Sequence, residues 1–212
     1  DITTNLSRTL TTQLDKNKIW HVGFFLGSNN GRHYQTMEDL LGASSYHNIN
    51  TYALGNYPAT SDAVQYDLNT MGDDRAGKLI KEGDKFGYDY SLLVNNAKAW
   101  SNIIINAGRW HLMAAGKVGA TDMVRKGFMR NGMFSENSYG KSGRAKFLEG
   151  GGKGSVSLDA GGGNVLSIGA GYEWRAPSAT TAFAEPEMNK DFVMGLKNER
   201  ICSSELGYQY QS

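Results

Sequence analysis

The sequence predicts an all-β chain, an antiparallel meander of long strands forming part of a transmembrane β-barrel, and three observations predict it. The first lies in the joints. Very short connections, Leu14-Asp15-Lys16-Asn17, Asn106-Ala107-Gly108 and Gly161-Gly162-Gly163, alternate with long ones over residues 28–85, 125–143 and 176–199. An antiparallel meander puts every second connection at the same end. The tight turns therefore gather at one end and the long loops at the other, as in membrane barrels. The second observation is alternation of apolar and polar residues with period two. The third is strand length: crossing hydrocarbon takes about 9–11 tilted residues, and most candidate strands reach or pass that. Strands of ordinary globular domains average about 5–6.

Composition agrees. The 212 residues include 27 Gly, 11 Tyr, 8 Phe and 4 Trp but only 3 Pro, which suits closely spaced strands and tight turns. Lys and Arg number 22 against 21 Asp and Glu, a net charge of +1, so there is no electrostatic footprint for nucleic acid. Mean hydropathy is -0.47, and no run of about 18 apolar residues exists to make a membrane helix. A barrel needs only every second residue apolar. Cys202 is the single cysteine, so no internal disulfide can form. No signal peptide is visible at Asp1; the expectation is that it was removed or that the natural start lies upstream.

The first strand is expected over residues 3–13 and the second over 18–27, after the Asp15-Lys16-Asn17 turn. The third and fourth, 86–105 and 109–123, form a hairpin through Ala107-Gly108, and the fifth and sixth, 144–159 and 164–174, another through Gly161-Gly162-Gly163. The seventh covers 201–211. Gly and Asn at these turns supply the positive φ that tight hairpins need.

Alternation is clearest from the fourth strand onward. Trp110, Leu112, Ala114, Val118 and Ala120 share one face there; Leu166, Ile168, Ala170, Tyr172 and Trp174 share one in the sixth, and Leu206, Tyr208 and Tyr210 in the seventh. The fifth is weaker, with Leu148, Val156 and Leu158. No charge interrupts the middle of these faces, and Lys or Arg at a bilayer midplane would cost about 2–4 kcal/mol. The opposite faces carry Arg109, His111, Lys117, Glu149, Lys153, Glu173, Arg175 and Glu205, expected to line a wet lumen and to pair across strands. The third strand is less regular; Lys98, Trp100 and Asn102 share a face assigned to the lumen. Trp20 and Trp110 follow short turns while Tyr172 and Trp174 approach a long loop, as aromatic girdles at two interfaces require. Residues 36–41 and 61–69 of the first long loop are expected to form short helical turns.

Other motifs carry no chemistry. Gly140-Lys141-Ser142 ends like a phosphate loop, but Ser135 stands where the spacing needs Gly. The run Gly150-Gly151-Gly152-Lys153-Gly154-Ser155 fails that spacing too, and its glycines are expected to permit strand bending or close approach of lumen groups. His21, His33, His47 and His111 show no metal-ligand spacing with one another or with Cys202. No catalytic residue, metal or cofactor is expected.

Several stretches together resemble the barrel of TonB-dependent outer-membrane receptors of the Bacteroidetes type. They are Met37-Glu38-Asp39-Leu40-Leu41-Gly42-Ala43 and Leu79-Ile80-Lys81-Glu82-Gly83-Asp84-Lys85-Phe86-Gly87-Tyr88-Asp89-Tyr90. With them go Asn137-Ser138-Tyr139-Gly140-Lys141, Phe147-Leu148-Glu149-Gly150-Gly151 and Tyr172-Glu173-Trp174-Arg175-Ala176-Pro177. Leu196-Lys197-Asn198-Glu199 and Glu205-Leu206-Gly207-Tyr208 complete the set, which spans almost the whole chain in order. The resemblance implies energy-driven import of a scarce ligand through a barrel of about twenty-two strands. It also implies an N-terminal plug that contacts the TonB complex, although residues 1–212 contain nothing like a plug. The expectation is thus an internal stretch of the barrel domain, a curved sheet or an aggregate on its own, in the bacterial outer membrane. The long loops would capture a siderophore, vitamin, peptide or oligosaccharide, with Tyr46, His47, Tyr57, Tyr66, Tyr139 and Phe183 as candidate contacts. A surface lipoprotein is a further possible partner. A passive porin-like channel and a soluble secreted glycan-binding β-sandwich are the competing readings; an enzyme is not expected.

Overall fold

The structure, a computed structural model, describes residues 1–72 and 77–211. Its strands in chain order are β1 (Ile2–Asp15), β2 (Lys18–Thr36), β3 (Tyr46–His47), β4 (Leu79–Ile80) and β5 (Lys85–Ala107). There follow β6 (Trp110–Gly127), β7 (Gly140–Lys141), β8 (Ala145–Gly161), β9 (Asn164–Arg175) and β10 (Glu199–Tyr210). Single 3-10 turns lie at Ala53–Gly55, Asp62–Val64 and Gly132–Phe134, and α1 (Ala179–Ala182) is one helical turn. The long strands form one antiparallel sheet in the order β1-β2-β5-β6-β8-β9-β10, and β7 pairs with the end of β6. Neighbours in this sheet are neighbours along the chain, so the all-β antiparallel meander is as expected.

Strand ends differ most at the loop side. β2 continues well past Gly27 to Thr36, pairing Ser28 with Asn95, Asn30 with Leu93 and His33 with Tyr90. Backbone pairing does not depend on side-chain hydropathy, so a strand with two polar faces reads as loop in the sequence. β6 likewise runs to Gly127. Residues 36–41 form no helix: the Asp39 carboxylate accepts the Leu41 N–H at 2.7 Å, and Leu41 and Gly42 take positive φ of 51° and 88°. A local Asx turn has displaced the helical one. Of residues 61–69, only Asp62–Val64 is helical. At the opposite end, Gly161, Gly162 and Gly163 all take positive φ (85°, 61° and 78°), as the turn between β8 and β9 requires.

Register sorts the faces, because residues directly opposite in an antiparallel pair lie on the same side. One row runs Phe24, Ala99, Val118, Gly150, Trp174 from β2 to β9. The next toward the tight turns contains Leu10, Val22, Ser101, Gly116, Gly152 and Tyr172. Among the described residues nothing covers this apolar face: Val118 is 67% exposed, Leu148 77% and Leu206 81%. Gly150 is not a bend. A Cβ there would overlap the Trp174 ring, which lies across the glycine from the neighbouring strand.

On the other face, buried apolar packing is confined to the loop end. Tyr90, Leu92, Met123 and Phe147 pack beneath Ala182 and Phe183 of the loop between β9 and β10.

Candidate ligand site in the loop cap

The long loops hold their shape through short polar side chains that satisfy backbone groups locally. Asn48, 2% exposed, accepts the Gly87 N–H at 2.8 Å and so ties the first loop to β5. Asn50 accepts the N–H groups of Tyr52 and Ala53 at 3.1 and 3.2 Å, turning the chain into the first 3-10 element. Asp67 accepts from the backbone of Asn69 at 3.1 Å and of Arg130 at 3.0 Å. Backbone bonds from Leu68 to Arg130 and from Gly132 to Gln65, both 2.8 Å, complete the seam between the first and second loops. The buried Arg125 guanidinium donates to the carbonyls of Pro186 (2.5 Å) and Ser138 (2.8 Å), and Lys190 N–H donates to Asn137, also carbonyl, at 2.9 Å. Three loops thus form one interlocked cap.

Within the cap is a cavity of about 410 Å3. Tyr52, Tyr57, Tyr66 and Tyr88 supply aromatic faces and hydroxyls, and Gln35, Asn50, Asn56 and Asn131 supply amides. Glu187 is the one carboxylate among the described residues that line it, and Met133 and Met188 give adaptable apolar surface. Burial, reinforced by Tyr46, Tyr52 and Glu187, pushes the Tyr66 hydroxyl above the usual phenol range, so it stays a neutral donor. Flat rings among neutral donors and acceptors suit a polar ligand carrying hydroxyl or amide groups.

Of the candidate contacts read from sequence, Tyr57 and Tyr66 line this cavity. Tyr46 is half-buried, edge-on to Phe86 at 5.7 Å. His47 is exposed and paired through its backbone with Leu79. Tyr139 is exposed, with the Arg130 guanidinium 5.6 Å from its ring centre. Phe183 is 2% exposed and packs 4.7 Å from Phe192, so its ring fastens the third loop and faces no ligand. Tyr52, Tyr88, Gln35 and Glu187 were missed. Tyr88 sits in a strand.

The charged face assembles largely as expected. His111, Lys117, Glu149, Lys153, Glu173, Arg175 and Glu205 share one side by register, together with Lys98, Trp100 and Asn102. Lys117 pairs with Glu173, and Arg175 with Glu199 at 2.9 Å. Glu149 is held by Lys98 at 2.9 Å and the Thr121 hydroxyl at 2.5 Å. His111 bonds Asn106 at 2.8 Å. Arg109 instead sits at the tight turn and donates to the Asp159 carbonyl at 2.7 Å. A second cavity of about 480 Å3 lies along the sheet beside Trp100, Asn102, Lys117, Lys153 and Glu173.

Set beside known proteins, the chain matches no family model, no curated protein and no solved structure.

Proposed function

We propose that this chain forms part of the wall and of the ligand-capturing loops of a TonB-dependent outer-membrane receptor. One observation carries the reading: an apolar face runs uncovered across the sheet, back to back with a charged one. A soluble sandwich buries such a face against a second layer, and among the described residues none covers it. The apolar band has edges. Toward the loops it ends at Ser28, Asn95, Asp122 and Arg144, joined by hydrogen bonds of 2.8, 3.2 and 2.7 Å. Toward the tight turns it ends near Trp20 and Trp110, where Trp20 donates to Ser101 at 2.8 Å. Two cations interrupt it among the described residues, Arg8 on β1, opposite Phe24, and Arg200 on β10, opposite Trp174. β1 and β10 are each paired on one side only. An unpaired backbone group in hydrocarbon costs several kcal/mol, so the reading requires further strands beside both, and these can supply Arg8 and Arg200 with anionic partners.

In this reading the cap cavity captures the ligand. Tyr88, which lines it, is on the charged side of the sheet, so a released ligand enters a lumen lined by Lys117, Glu173 and Lys153. Rearrangement of a plug by the TonB complex opens that path, and a surface lipoprotein is a partner to seek. The test is fractionation of the intact protein. It should stay with the outer membrane through an alkaline wash and come out only with detergent. Release into aqueous buffer would favour the secreted sandwich instead.

A further inference from the structure

On the apolar side of the sheet, above the polar row that ends the band, basic residues crowd together. Arg32 of β2, Lys126 of β6 and Lys141 of β7 stand in one lateral row through Ser91, and Lys146 of β8 is opposite Asp122. Arg144 adjoins them through Asp122 at 2.7 Å, and Lys85 through Asp89 at 3.0 Å. The two acids are already engaged: Arg32 grips Asp89 with bonds of 2.8 and 2.7 Å, and Arg144 holds Asp122. Lys126, Lys141 and Lys146 are exposed and, among the described residues, make no ion pair. Lys126 and Lys141 are directly opposite each other across the ladder. Like charges in that position destabilise a strand pair, and among the described residues no carboxylate pairs with either. Phe128 lies under both Arg32 (4.4 Å) and Lys126 (4.9 Å), offering an apolar floor.

We infer that this patch binds the phosphate groups of an anionic lipid headgroup whose acyl chains lie along the apolar face below it. The inference rests on the receptor reading, because only a face in lipid presents headgroups at that height. Charge complementarity selects the headgroup, and the continuity of the basic patch with the apolar band selects a lipid over a free anion. Lysines near an anionic membrane surface each add materially to binding, and the effect is screened by salt.

The test uses the intact protein in neutral detergent, with a sugar-headgroup lipid carrying phosphate monoesters, the same lipid after dephosphorylation, and inorganic phosphate. The phosphorylated lipid should be retained in native mass spectrometry and raise the melting temperature. The triple variant K126Q/K141Q/K146Q should assemble normally and bind it at least about tenfold more weakly. Equal binding by variant and wild type, or by the dephosphorylated lipid, would overturn the inference while leaving the barrel reading intact. Inorganic phosphate binding as tightly as the lipid would make this a free-anion site and also overturn it. A protein that needs no detergent would remove the receptor reading itself.

Discussion

Below the cap, β6, β9 and β10 present Val118, Ile168 and Leu206 on one side with nothing among the described residues packed over them, while Lys117, Glu173 and Glu205 stand on the other. Near the loops the same sheet is reversed. Tyr90, Leu92, Met123 and Phe147 occupy the side that is charged below, sealed under Ala182 and Phe183. Ser28, Asn95, Asp122 and Lys146 occupy the side that is apolar below. The face that buries apolar groups changes along the strand because its surroundings change. In the receptor reading the two sides of the lower half meet different media, while in the upper half one meets the cap and the other meets water or headgroups.

The largest effect expected from this contrast is at the cap. Phe183→Ala should remove about 3–5 kcal/mol of local packing. The third loop should then become open to proteolysis while the lower sheet keeps its strand content. Equal loosening of both halves would mean that the cap and the sheet are one cooperative unit. Next is the side proposed to face lipid. Val118→Arg should cost about 2–4 kcal/mol of assembly, read as the folded fraction on heat-modifiable gels of the intact protein. Ser203→Arg, exposed on the charged side, should be tolerated. Equal tolerance would break the assignment of faces. The smallest effect is Glu149→Gln, which keeps a contact to Thr121 but removes the charge facing Lys98. About 1–2 kcal/mol should be lost in urea unfolding, and no loss would show Lys98 to be sufficiently solvated alone.

This reversal also explains what was legible in the sequence. The alternation of β6, β9 and β10 reads cleanly because most of their length lies where the two sides differ. β5 crosses the switch: its even positions run from Tyr90, Leu92 and Val94 to Asn96, Lys98 and Asn102, so no single pattern holds along it. β2 above Gly27 is polar on both sides and reads as loop. Tight turns were legible through glycine and asparagine. The cap was not, since its shape comes from Asn48, Asp67 and Arg125 reaching across long sequence separations. Two of the aromatic candidates line the cavity and Phe183 packs inside the third loop, because aromatic character alone does not separate a ring that anchors a loop from one that meets a ligand.

The most direct measurement is a spin-label scan of positions 112–120 in the intact protein, with Cys202 first replaced by Ser, in lipid bilayers. Even positions should collide with oxygen dissolved in the hydrocarbon, and odd positions with a water-soluble nickel reagent, in strict alternation. Similar nickel accessibility on both sides, or protection of Val118 from both reagents, would contradict a wall between lipid and water.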